Sequence, residues 1–107
     1  MVTATVVKNS KGYESFSCSG HAGFMRKGKD IVCSAISVLT INTANSIMTL
    51  TDSKISVNEK DGFLSWKFED IPTYEAKLLM DSLLIGLKSV EEQYGKYLKL
   101  EIKEVKP

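Results

Sequence analysis

The chain has 107 residues and a formal charge of +1, with 43% hydrophobic and 25% charged residues. That is one domain's worth of chain (1–107) with apolar content for one core, which argues against disorder and against a protein drawn to polyanions by its net charge. Two cysteines and a single histidine, His21, leave no disulfide framework and no four-thiolate zinc site.

The start, Met-Val-Thr-Ala-Thr-Val-Val-Lys, lacks the basic and apolar blocks of a signal peptide. No run is expected to reach the roughly 18 apolar residues of a membrane helix. The expectation is a cytoplasmic protein with reduced thiols and no membrane association.

Residues 2–8, rich in Val and Thr, read as a strand. Asn9 to Gly12 supply turn chemistry, and Tyr13 to Ser19 read as the returning strand. Alternation puts Phe16 and Cys18 on one face and Ser15, Ser17 and Ser19 on the other. Residues 20–29 carry three glycines and three cations, the composition of an exposed loop. Asp30 reads as an N-cap, with a helix to about Leu50 whose apolar positions are Val32, Ala35, Ile36, Leu39, Ala44, Ile47 and Met48. Its many Ser, Thr and Asn residues are poor helix formers, so packing must hold it.

A second hairpin is expected from Lys54–Lys60 and Phe63–Glu69 around Asp61-Gly62. Leu64, Trp66 and Phe68 share its buried face, and Phe63 also reads as core rather than as a platform for bases. Pro72 and Thr73 open a second helix to about Tyr94, striped by Ala76, Leu79, Met80, Leu83, Leu87 and Val90 and stopped by Gly95. Tyr97 to Val105 is a last strand with Leu98, Leu100 and Ile102 inward. The order strand-strand-helix-strand-strand-helix-strand predicts an α+β sandwich, helices on one face of a sheet.

Two residues stand out chemically. His21 ends the second strand, and Cys33 falls in the first turn of the expected helix, where the dipole favours an anionic sulfur. A nearby imidazole is the natural acceptor for a thiol proton, so a Cys-His dyad is available. Spacing alone fits as well a structural cysteine and a solvated histidine. Asp30 either caps the helix, engaging an amide that an oxyanion would want, or orients His21. Arg26, Lys27 and Lys29 fit a solvated charge cluster, or contacts with an acidic substrate segment or RNA. Cys18, His21 and Cys33 would be the minimum for an open zinc site, but residues 18 and 21 of a strand face opposite ways. Neither metal nor cofactor is expected.

The string Gly20-His21-Ala22, a loop ending in Gly28, then Asp30-Ile31-Val32-Cys33 with Ser37 one turn later, resembles the signature of the ribosomal-processing cysteine protease family. Length and element order fit as well. The resemblance implies a cytoplasmic homodimer that removes an N-terminal extension from large-subunit ribosomal protein twenty-seven. It implies His21 as base and Cys33 as nucleophile, with Gly20, Asp30 and Ser37 at supporting positions. Direct nucleic-acid binding is not expected. A non-catalytic ribosome-assembly or RNA-binding factor and a thiol-dependent transferase are the competing classes; only the first of these does without a reactive Cys33.

Overall fold

The computed structural model describes residues 1–20 and 27–106, the side chains of 27–30 excepted. Strands β1 (Val2–Asn9) and β2 (Gly12–Ser19) form the first hairpin, and β3 (Ile55–Lys60) and β4 (Phe63–Phe68) the second. Helix α1 (Lys27–Leu50) links the hairpins, and α2 (Tyr74–Gln93) leads to β5 (Leu98–Glu104). The α+β sandwich expected from the sequence is what forms.

The sheet order is β3-β4-β2-β1-β5, with β1 and β5 parallel and the remaining pairs antiparallel. Hence α1 carries the chain over β4 to reach β3, and α2 carries it over β2 and β1 to reach β5. These crossovers start from antiparallel strands and travel in opposite directions. A single handedness therefore lays both helices on the same face.

The core lies between helices and sheet. Val2, Ala4, Val6, Phe16, Trp66 and Leu98 rise from the strands to meet Val32, Ile36, Ala44 and Ile47 of α1 and Ala76, Met80, Leu83 and Leu87 of α2. Phe16 and Trp66 stack with ring centroids 4.6 Å apart. Trp66 is 1% exposed and its Nε1 finds no partner among the described residues, so it stays for its packing at the cost of a stranded donor. Where the helices meet, Gly86 permits close approach: a Cβ there would stand 3.1 Å from the Leu39 side chain.

Burial holds α1 together despite its composition. The hydroxyls of Thr40 and Thr43 donate to the carbonyls of Ile36 and Leu39 at 2.7–2.8 Å, so these buried polar side chains are satisfied inside the helix, and Thr51, just past its end, donates to Ile47 in the same way. From Ile31 to Leu50, 20 residues carry no charge, so by length and composition the segment meets the test for a membrane-crossing helix, contrary to the sequence expectation. Here it lies on the sheet with Val32, Ile36, Thr40, Ala44 and Ile47 buried. Three other side chains depart from expectation. Ile102, expected inward, is 44% exposed toward the end of β5. Met48 is 50% exposed, because the buried stripe runs through Ala44 and Ile47. Phe63 pairs with Lys60 and Ser19 on the face away from Leu64, and it is absent from the residues packed on the core.

Candidate active site

The floor and one wall of the site come from the first hairpin and α1, the other wall from the tip of the second hairpin. Register explains the convergence. Ser19, at the end of β2, pairs with Phe63 at the start of β4. The Gly20 amide then donates to the Gly62 carbonyl at 3.0 Å, tying the end of β2 to the β3–β4 turn. Gly20 has φ +105, and a Cβ would overlap the Met1 carbonyl oxygen. Both facts demand glycine at this position.

Above this junction lies an open cleft of about 540 Å³. Cys33, Ile36, Ser37, Thr40 and Ile41 line it from α1, Val2, Cys18 and Gly20 from the first hairpin, and residues 59–64 from the second. Three of the sequence-selected residues therefore share one cavity: Gly20, Cys33 and Ser37. Cys33 is half-buried against the core, and Ser37 is exposed one turn further along the helix. His21 follows Gly20 directly in the chain but lies outside the described residues, as do residues 22–26 of the glycine-rich loop and the side chains of Lys27, Lys29 and Asp30.

The backbone corrects the local reading of the helix start. Lys27, Gly28 and Lys29 belong to α1 rather than to the loop, so Asp30 is inside the helix and is not its N-cap. Cys33 is then the seventh helical residue, in the second turn. Its amide faces the carbonyl four residues back, so the expected pairing of a first-turn thiol with first-turn oxyanion donors does not hold.

The other cysteine is chemically distinct. Burial, and then the proximity of Cys33, push the Cys18 thiol up to about 11 from an ordinary 9.0. At neutral pH Cys18 is a thiol, whereas thiolate is the nucleophilic form. Both cysteines are free. Among the described residues no group of three or more His, Cys, Asp or Glu side chains is placed to hold a metal.

Sequence reasoning missed the second wall. Glu59, Asp61, Gly62, Phe63 and Leu64 are some thirty residues from Cys33 in the chain and reach it only because β4 pairs with β2. The Asp61-Gly62 turn was legible as a turn; nothing local shows what it faces.

Comparison with known proteins settles the family. The family model described as cysteine protease Prp matches residues 1–99. The chain belongs to the Prp cysteine protease family. It is a cysteine protease, a hydrolase. It is similar to the ribosomal processing cysteine protease Prp of Staphylococcus aureus (strain Mu50), with 29% identity over 106 residues, covering 96% of this chain and 100% of that one. The Prp of Bacillus subtilis (strain 168) is 27% identical over 101 residues, 88% of this chain and 90% of that one. Among solved structures, S. aureus Prp with a covalently linked product peptide superposes with a TM-score of 0.87 at 29% identity, covering 96% of this chain and 100% of that one. The same enzyme with a substrate peptide gives a TM-score of 0.88 at 28% identity, with the same coverage.

Proposed function

We propose that the protein is an endopeptidase that removes the N-terminal extension of large-subunit ribosomal protein twenty-seven, with Cys33 as nucleophile and His21 as general base. The observation that carries this reading is the shared cleft: Cys33 lines it beside Gly20, the residue bonded to His21. The similar S. aureus enzyme, named for ribosomal processing, has been captured with a product peptide covalently linked.

In this mechanism His21 takes the thiol proton and the Cys33 sulfur attacks the scissile carbonyl. The protonated imidazole returns its proton to the departing amine, leaving a thioester. Water, deprotonated by the same imidazole, then releases the acid and frees the sulfur. Ser37 lines the same wall one turn from Cys33, which supports a role for it in contacting the peptide.

The enzyme works as one domain over 1–107, in the cytoplasm, where its thiols stay reduced, and as a homodimer. Supporting the dimer is an exposed stripe on α1 in alternating steps of four and three: Ser34, Val38, Ile41, Asn45 and Met48. Val38 is 67% exposed and Ile41 44%, far from the pattern of a solvated helix face. Sedimentation at micromolar concentration should give a dimer that Val38→Glu dissociates; a monomeric parent protein contradicts this assembly.

The test of the activity is incubation with the full-length ribosomal protein precursor and mass spectrometry of the products. One cut that removes the extension, lost in Cys33→Ala and His21→Ala variants that still fold, is the expected result. An intact precursor, or cleavage by Cys33→Ala, overturns the assignment.

A further inference from the structure

The helix-facing side of the sheet holds a carboxylate where the strand pattern calls for an apolar residue. On β3 the positions that turn toward the helices are Ile55, Val57 and Glu59, since they pair with Phe68, Trp66 and Leu64. The last of these completes a rung that runs across the sheet as Glu59–Leu64–Cys18–Ala4–Leu100. Ala4 is fully buried, and Leu64, Cys18 and Leu100 pack on the core, so this is the inner face. Glu59 closes the rung at its open edge, in the wall of the cleft that holds Cys33. It makes no hydrogen bond or ion pair with another described residue. Lys60 pairs with Phe63 in a rung of the opposite face and does not alternate with it toward the helices. Asp61, in the turn, adds a second carboxylate to the same rim.

We propose that Glu59 is a specificity-determining residue that reads a basic side chain of the peptide in the cleft. The proposal rests on the cleft being the site of proteolysis. The lining divides the labour: Val2, Ile36, Ile41 and Leu64 supply apolar surface, and the rim supplies negative charge. A peptide stretched past Cys33 would then bind best with an apolar residue toward the helix and a lysine or arginine toward the β3–β4 tip. Because the rim is exposed, the attraction is of the modest, salt-screened kind. It acts on binding and leaves the chemistry at Cys33 alone. An inward charge on an edge strand also guards against edge-to-edge pairing, and that role would alter solubility without distinguishing peptides.

The experiment scans a single lysine through the positions flanking the scissile bond of a neutral peptide that the wild type cleaves, and compares wild type, Glu59→Gln and Glu59→Lys. At one position lysine should lower the wild-type KM. There Glu59→Gln should raise KM about two- to fivefold with kcat unchanged. At that same position Glu59→Lys should prefer glutamate to lysine, and half-molar salt should erase both differences. Equal KM for neutral and lysine peptides at every position in the wild type, or a Glu59→Gln loss that is the same for all peptides, overturns the proposal while leaving the protease intact. No cleavage of any peptide by wild type overturns the proposal together with the catalytic reading beneath it.

Discussion

The two helices lie on the same sheet and are built to different rules. Helix α2 is locally well specified. Thr73 caps it by accepting from the Ala76 amide at 3.1 Å, and its own amide is held by Ser53 at 2.8 Å. Lys77 and Asp81 pair at 2.8 Å one turn apart, and the Tyr13 hydroxyl donates to the same Asp81 carboxylate, fastening the helix to β2. Helix α1 has none of this from Ile31 to Leu50: it carries no charged side chain, and its buried threonines bond back to its own carbonyls. The contrast teaches a division of work. Helix α2 is a stabilising brace, whereas α1 is held by burial alone and gives its remaining surface to the cleft, Ile41 included, and to the stripe at Val38 and Met48.

The following experiments would break or sharpen that contrast. The largest effect belongs to Cys33→Ser, expected to lower kcat/KM roughly ten-thousandfold while leaving the melting temperature nearly unchanged, because the side chain is only half-buried. Cys18→Ser should keep most of the activity, since its thiol is held up at about 11 and stays protonated. Next come the buried anchors. Ile47→Ala in α1 and Leu87→Ala in α2, both fully buried, should each cost about 2–5 kcal/mol in denaturant titrations. Removing Ile47 should in addition lower activity, since it loosens the helix that carries Cys33. If Leu87→Ala lowers activity as much at matched stability, the two helices are not functionally distinct.

Thr73→Ala should cost about 1 kcal/mol through the lost cap and leave kcat/KM as it was. The smallest effect is a pH dependence. Burial raises the Asp81 carboxyl, but hydrogen bonds from Lys77 and Tyr13 and the charges of Lys77 and Lys8 outweigh it, so the net shift is downward from 3.8. A carboxylate depressed by folding adds stability that is present above 3.8 and is lost as pH falls through its folded value. Asp81→Asn should therefore flatten the acid side of the stability curve below pH 3.8 and leave cleavage near neutrality unchanged. The Tyr13 phenol is raised from 10.0 by burial and then by the Asp81 carboxylate, so stability should also decline as pH rises beyond that value.

Much of this was legible in the sequence because it is local. Asp61-Gly62 marks a turn, alternation marks Leu64, Trp66 and Phe68, and the stripe from Ala76 to Val90 marks α2. The parts that were not legible depend on long-range pairing. That β4 inserts beside β2, and β5 runs parallel to β1, cannot be read from any window of residues. That pairing turns Phe63 outward and brings Glu59 to the rim opposite Cys33. The start of α1 misled for a different reason. Asp30 has the chemistry of a cap and Gly28 that of a breaker, yet the helix runs through both, so a propensity difference of about 1 kcal/mol does not set where it starts. For the site, the motif led to Gly20, Cys33 and Ser37, and all three line one cleft; the opposite wall came only from the fold.

The central claim is that the Cys33 sulfur carries the acyl group during cleavage. Its most direct test is an acid quench of the protein mixed with the ribosomal protein precursor, followed by intact-mass measurement and peptide mapping. The account predicts a transient adduct equal to the released N-terminal fragment, attached to the peptide that contains Cys33. Turnover with no such adduct at any quench time, or an adduct mapped to Cys18, would contradict it.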